Sequence, residues 1–399
     1  MNGSRQDAIS EAVALHVCTR YQRGGSERRL RDIVRALPEL RHHVLLGADS
    51  DVDLARQQTG AERVWTLSSL VRPIAPARDL AALVSLWRLL RRREYAVVVS
   101  HQSKAGVLAR IAAAAVGDHP AVHSLSMASF GPGYGRLENW VFPRLERALG
   151  TRTSAFCVVG ADLAERFASV GVARERLHVV RSGVPLPARL PSRDEARRLL
   201  DARYGTTPGR RLVCYLGSLE PRKNPLLLPE FLQRLHTRCA DPPDLLVLGD
   251  GPERDRLTAE LSARGLAGHA VLTGHVADPA HVHDALRGVD LLVLLSEAEG
   301  LPQVLVQAAA AGTPFVAFDV EGVREVLALG ARGDAVPLGG LDAAVDAAVH
   351  RLGAGAPAAG APVADLSSWA PDAIAGAYRA TFGEVLGATR VPVPVSAAG

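Results

Sequence analysis

Lysine is almost absent: only Lys104 and Lys223 occur, against 44 arginines. A composition bias toward Arg, Ala, Gly and Pro accounts for the arginines but not for the two lysines that remain. Excess charge is also small, +4 from 46 basic and 42 acidic residues, so the chain has only a weak pull toward anionic lipid and is not expected to bind nucleic acid. Cysteine is scarce. Cys18, Cys157, Cys214 and Cys239 form no C-x-x-C pair or zinc pattern, and three lie in apolar runs, where Cys behaves as a small buried hydrophobe. A reduced, cytoplasmic protein is the expectation. No window approaches about 18 uninterrupted apolar residues, and MNGSRQDAISEAVALHVC lacks the apolar stretch of a secretory signal, so neither membrane spanning nor secretion is expected.

What is present is an ordinary globular composition, 48% hydrophobic and 22% charged over 399 residues. At about 100 to 200 residues per domain this length suggests two domains. Short runs rich in Val and Leu alternate with longer helical patterns, the signature of βαβ units and parallel sheets whose strands are covered on both faces. Strands are expected at 13–18, 42–47, 96–101, 121–125, 155–160 and 177–181, then at 211–216, 244–248, 270–273, 290–295 and 314–318. Helical patterns fill the intervals, with 371–386 as a last amphipathic helix. The proline-rich segment 184–194 reads as a linker, 353–363 as a low-complexity surface loop, and 390–399 as a flexible tail.

Ligands of doubly wound sheets bind beyond the carboxyl ends of the strands, which directs attention to the strand-to-helix loops. After the first strand, Gly24 and Gly25 precede a helix that Ser26 can cap. They make either a bare tight turn or an anion site at a helix start. His101 and Lys104 stand at the mouth of a later helix. His123 lies near the carboxyl end of an apolar strand, where a satisfied core histidine competes with a functional reading, and Ser126 and Tyr134 follow in the loop SFGPGYG region. In the second half, GSLEPRKNP places Arg222 and Lys223 before a helix, a fork and a point charge suited to a diphosphate. Gly249 and Gly251 flank Asp250 in a turn that is either structural or open to ligand. Glu299 precedes the helix that carries Gln307. It either accepts hydrogen bonds from sugar hydroxyls or complements the helix dipole for about 0.3 to 1 kcal/mol. Asp319, Gly322 and Glu325 in the next loop admit the same capping reading.

In order and spacing, GGSERRL, HQSKAGVLAR, AVHS, CVVGADLAERF, HVVRSGV, GSLEPRKNP, GDGPERDRL, VLTGHV and SEAEGLPQVLVQAAAAGTPFVAFDVEGVREVL resemble the retaining nucleotide-sugar glycosyltransferases of family 4. The likeness covers nearly the whole chain. It implies a GT-B fold of class α/β: two Rossmann-like doubly wound domains facing a cleft, with a C-terminal helix crossing back to the first. The expected boundaries are 1–186 for an acceptor-side domain, 187–370 for a nucleotide-sugar-binding domain, 371–389 for the returning helix and 390–399 for the tail. The implied donor is a UDP- or GDP-sugar; glycan, lipid carrier and small natural product all stay open as acceptor, the length and the lack of a membrane segment tilting toward a small soluble molecule, with action at a membrane surface not favoured. No cofactor or metal is expected, since cationic side chains and helix ends would neutralise the leaving diphosphate.

By the same resemblance, Gly24, Gly25 and Lys223 approach the diphosphate, with Gly249 and Gly251 also on the donor side. Gly274, His275 and Val276 frame the base. Glu299, with Gly300, Leu301 and Pro302, contacts the transferred sugar, and His123 contacts it near the reaction centre. His101, Lys104, Ser126 and Tyr134 belong to the acceptor side. Two departures stand out. The second acid of the family's E-x7-E motif is Gln307, a weaker acceptor for the ribose. The usual Arg five residues before the diphosphate lysine is Ser218, and Arg222 is expected to supply the missing charge. A scaffold that binds nucleotide-sugar without turnover is the rival these departures motivate. His281 and His283 are expected at the surface rather than as metal ligands.

Overall fold

A computed structural model describes residues 12–22, 26–101, 103–117, 119–186, 189, 191–354 and 364–388. Gly24, Gly25, most of 353–363 and the tail from 389 lie outside them. The chain divides into two compact units, Met1–Gly183 with Ser368–Gly399, and Val184–Ser367.

The first unit runs β1 (Val13–Cys18), α1 (Ser26–Ala36), β2 (Arg41–Gly47), α2 (Val52–Thr59), β3 (Arg63–Leu67), α3 (Pro76–Arg92), β4 (Val97–His101), α4 (Ser103–Val116), β5 (Ala121–Leu125), α5 (Arg136–Gly150), β6 (Ala155–Val158), α6 (Ala161–Ser169) and β7 (Leu177–Val179). All pairings are parallel, in the order β3-β2-β1-β4-β5-β6-β7. The order reverses between β1 and β4, and Cys18 pairs with His101 at their carboxyl ends. Thr19, just past β1, accepts from Ala105 N at 3.0 Å in the first turn of α4, the helix that leaves the neighbouring strand β4. The apolar face of α3 carries Ala82, Leu86 and Leu90, buried with Leu15, Val98 and Ala109, and its last turn carries Arg91 and Arg92.

The second unit runs α7 (Arg193–Tyr204), β8 (Leu212–Leu216), α8 (Leu228–Arg238), β9 (Asp244–Leu248), α9 (Arg254–Ala263), β10 (Ala270–Gly274), α10 (Pro279–Gly288), β11 (Leu291–Leu294), α11 (Gln303–Ala311), β12 (Phe315–Phe318), α12 (Val323–Ala328), β13 (Gly333–Val336) and α13 (Leu341–Gly353). Its six parallel strands are ordered β10-β9-β8-β11-β12-β13, reversing between β8 and β11. The last helix, α14 (Pro371–Ala388), belongs to the first unit: Ile374, Tyr378, Phe382 and Val385 enter the core beside Ala14, Ile33 and Val97, and Arg379 Nε donates to Ala36 O at 3.1 Å.

The sequence pattern missed the edge strands β3 and β13 and the helices α2, α7 and α12. Edge strands are covered on fewer sides and lose the continuous apolar run. Arg63 is exposed in β3, and only Val336 is buried in β13.

Candidate active site

Each sheet has one reversal of strand order, and in doubly wound sheets ligands bind beyond the carboxyl ends of the strands that flank it. In the second unit these ends carry the loops after β8 and β11. Pro221–Lys223 forms a 3-10 turn and Asn224 then adopts a left-handed conformation (φ 49°, ψ 44°). Asn224 Nδ2 donates to Leu295 O at 3.0 Å, and Glu297 N donates to Arg222 O at 2.9 Å. The two loops are thereby pinned together, although 76 residues separate Lys223 from Glu299.

At the pinned ends Lys223 Nζ lies 2.7 Å from Glu299 Oε1, and Arg222 Nη1 lies 3.4 Å from Glu299 Oε2 while also donating to Ala298 O. Burial pushes the Glu299 carboxyl up, but Lys223 and then Arg222 outweigh it and hold the group below the ordinary carboxylate range. Glu299 is therefore ionised, and the three side chains sum to one positive charge. Gly300, Leu301 and Pro302 are buried behind it, and Gln307 is half-buried on α11.

Gly249 and Gly251 have a structural reason for being glycine. At φ 157° and 159°, their added Cβ atoms would lie 1.8 Å from Gly217 O and 2.7 Å from Leu219 O. Only backbone fits where the loop after β9 runs along the loop after β8, with Gly217 N donating to Leu248 O at 3.0 Å and Leu219 N to Asp250 O at 2.9 Å. Gly249 also bridges to Gly274, so exposed His275 and half-buried Val276 follow directly beside this loop pair. Ser218 offers its carbonyl to Tyr215 OH at 2.8 Å. Asp319 pairs with Arg324 at 2.6 Å.

In the first unit His123 occupies the third of five positions in β5, fully enclosed, rather than the open end of the strand. Its Nδ1 is 2.9 Å from Ser100 Oγ and 3.2 Å from Ser100 O, and its Nε2 is buried without a hydrogen-bond partner among the described residues. Gly106 of α4 makes room for the ring, since a Cβ there would meet His123 Cε1 at 2.3 Å. Burial, reinforced by Arg110, holds His123 neutral. Arg110 is itself fixed by Glu146 in a buried two-pronged ion pair of 2.8 and 2.7 Å.

His101 ends a chain of imidazoles that sequence reasoning missed. Its Nε2 lies 3.1 Å from His16 Nδ1, His16 Nε2 lies 3.0 Å from His42 Nδ1, and His42 Nε2 lies 2.9 Å from Leu37 O. A carbonyl only accepts, so His42 donates from Nε2 and accepts at Nδ1. The same order then runs through His16 to His101, whose Nδ1 keeps its lone pair. Burial keeps the rings neutral, lowering His16 well below its ordinary value and His101 to about 3. The three histidines come from β4, β1 and β2, and only strand order brings them together. Arg29, also missed, is buried on α1 and ties the sheet ends by donating to Val180 O at 2.7 Å and Cys157 O at 2.8 Å.

Lys104, read as a cation offered to a ligand, is paired with Asp79 and donates to Pro73 O, with a side chain only 15% exposed. Ser126 is half-buried, and Tyr134 OH donates to Ala128 O at 2.6 Å, bracing its own loop. His283, expected at the surface, is buried on the inner face of α10, whereas His281 is partly exposed beside Asp278. Three cysteines are buried, and Cys239 is half-buried. Among the described residues no helix is long and apolar enough to cross a membrane.

The model of the glycosyl transferase 4-like domain matches residues 24–183, and that of the glycosyl transferases group 1 matches residues 197–350. The chain is 26% identical over 72% of its length, and 74% of the relative's, to the UDP-Gal:alpha-D-GlcNAc-diphosphoundecaprenol alpha-1,3-galactosyltransferase of Escherichia coli. It is 29% identical over 58% of its length to the 2-deoxystreptamine N-acetyl-D-glucosaminyltransferase of Streptomyces fradiae, spanning 57% of that relative. Its fold matches the crystal structure of Anabaena HepE in complex with UDP and glucose at a TM-score of 0.69, with 18% identity, covering 95% of this chain and 97% of that one.

Proposed function

Since the chain belongs to the family 4 glycosyltransferases, with the GT-B fold, we propose that it transfers a sugar from a UDP- or GDP-sugar to an acceptor hydroxyl with retention of configuration and without a divalent metal. The observation that carries this reading is the single carboxylate of Glu299 holding both Lys223 and Arg222 at the strand-order reversal of the second unit. One net positive charge remains there for a diphosphate, and an ionised acceptor stands beside it for a sugar hydroxyl.

In the proposed reaction the bond between the anomeric carbon and the β-phosphate oxygen breaks as a bond from that carbon to the acceptor oxygen forms on the same face. The acceptor proton passes to the departing phosphate, so no protein base is required. Lys223 and Arg222 stabilise the charge that grows on the diphosphate, the preorganised electrostatic contribution that dominates many such sites. Glu299 orients the sugar, Gln307 meets the ribose with a neutral amide, and the loop of His275 and Val276 borders the base. The UDP-galactose relative and the UDP-bound HepE favour the uridine nucleotide.

For the acceptor we favour a small soluble polyol, in keeping with the 2-deoxystreptamine relative. A lipid-linked acceptor is the second reading, favoured by Leu137 and Trp140, which stand 69% and 59% exposed on α5 just after the 126–135 loop. A thermal-shift series with UDP, GDP, ADP and dTDP tests the donor assignment: at about 100 times its Kd the cognate nucleotide stabilises the fold by about 2.7 kcal/mol. The absence of any shift refutes the assignment. Release of nucleoside diphosphate that depends on an acceptor then separates transferase from scaffold.

A further inference from the structure

The second unit carries another cluster of polar side chains at the end of its sheet opposite Lys223 and Glu299. His236 lies in the last turn of α8, Asp244 is the first residue of β9, and His269 closes the 3-10 turn Ala267–His269 that leads into β10. One ligating atom from each lies within 4.8 Å of the other two. His269 Nδ1 is 2.9 Å from Asp244 Oδ1, and the two imidazoles meet edge to face with centroids 4.6 Å apart. His236 Nε2 is 2.9 Å from Pro243 O, and because a carbonyl only accepts, Nε2 carries the proton and Nδ1 keeps a lone pair. An imidazole whose second nitrogen is held by a backbone carbonyl has the orientation and tautomer of a metal ligand.

We propose that His236, Asp244 and His269 bind a divalent transition metal of the zinc class, two imidazoles and one carboxylate with a fourth position for water. Imidazole and carboxylate suit such borderline ions, whereas calcium and magnesium take oxygen ligands. In a tetrahedral zinc site neighbouring ligand atoms stand about 3.3 Å apart, so the His269–Asp244 edge is already near that spacing and His236 has only a short distance to close. Arg210 is the competitor. Its Nη2 lies 3.4 Å from Asp244 Oδ1 and 3.5 Å from His269 Nδ1, both long contacts, and its side chain is 32% exposed, free to turn to solvent when a cation takes the carboxylate. The four steps along β9 from Asp244 to Leu248, at about 3.3 Å each, place this site roughly 13 Å from the carboxyl end of the sheet. The ion therefore takes no part in the donor chemistry proposed for Lys223 and Glu299. It ties α8, β9 and the entry to β10 together.

The test uses the untagged full chain with cobalt(II), whose visible absorption reports tetrahedral coordination, and with zinc(II) in thermal unfolding. The expected result is one cobalt per chain with an intense visible band, and a rise in Tm on adding zinc that EDTA reverses. His236→Ala and His269→Ala should each weaken binding at least tenfold, while Arg210→Ala should tighten it severalfold. UDP-induced shifts should be unchanged in all three variants, which shows that the variants are folded and keeps this inference separate from the donor assignment. No cobalt band in either the wild type or Arg210→Ala overturns the site, as does cobalt binding that His269→Ala leaves intact. If a histidine variant fails to fold, the sign of the Arg210→Ala effect decides: unchanged or weaker binding overturns the site.

Discussion

Replacing Glu299 with Gln should move nucleotide binding and sugar transfer in opposite directions. In the free protein one carboxylate holds Lys223 at 2.7 Å and Arg222 at 3.4 Å, so a diphosphate arriving at the two cations must displace Glu299 from them and then tolerate its charge. Glu299→Gln keeps the side chain's shape and raises the cluster from one positive charge to two. At an effective dielectric of about 20, a like charge removed from about 6 Å is worth roughly 3 kcal/mol. With Arg222 35% exposed, solvent screening brings that toward about 1 kcal/mol, a roughly fivefold tighter UDP or GDP. Transfer should fall tenfold or more, because a neutral amide accepts less strongly from the sugar hydroxyls. Lys223→Met works the other way, losing a charge-assisted bond of about 1.5 to 3 kcal/mol and weakening the nucleoside diphosphate about 10- to 150-fold. Arg222→Ala should share that sign if Arg222 supplies the charge that Ser218 does not. Titration calorimetry with UDP and GDP, beside a diphosphate-release assay, reads both quantities. Were Glu299→Gln to weaken the nucleotide as much as Lys223→Met does, Glu299 would be a brace for the lysine and the electrostatic reasoning would fail.

Gly249→Ala should destabilise the second unit by about 2 to 5 kcal/mol, overpacking and backbone strain together, since its Cβ would sit 1.8 Å from Gly217 O at a φ of 157°. Urea unfolding measures the loss, and a variant as stable as wild type with a full UDP shift would mean the loops part at little cost. His16, His101 and His123 are held neutral by burial, so their folded-state values lie below the ordinary 6.5. Above pH 6.5 neither state binds these protons; below it the unfolded chain takes them up and the folded chain does not. Each histidine then removes about 1.4 kcal/mol of stability per pH unit. For His101 the loss continues until pH approaches about 3. Urea unfolding between pH 6.5 and 5.5 should show this slope, flattened by one proton's worth in His101→Gln, and an unchanged slope in that variant would refute the assignment.

How much of this was legible beforehand depended on whether one strand or several set the feature. The central strand DLLVL at 244–248 is covered on both faces and announces itself as an apolar run, whereas RVWTL and GDAV at the sheet edges do not. Lys223 and Glu299 could each be picked out, because both sit in loops that leave a strand for a helix. Their ion pair could not, because it exists only through the adjacency of β8 and β11. The imidazole chain is the stronger case, with three strands contributing and the unremarkable VALHVC supplying its middle member. His283 shows the converse error, since a histidine on an amphipathic helix reads as surface until the inner face of that helix is known.

The two lysines mark the limit of reading function from rarity. Both are rare for the same compositional reason, and both follow strands that flank a reversal of strand order. Among the described residues Lys104 shares Asp79 with no second cation. Asp79 matches its charge, and Pro73 O takes a further hydrogen bond, so the lysine braces the approach to α3 and little charge is left over. Lys223 shares Glu299 with Arg222, leaving one charge unmatched at a site where the backbone of two glycine-bearing loops has been drawn close. The role proposed for Lys223 rests on this charge balance: three groups there leave one charge for an anion, whereas the two groups at Lys104 leave none.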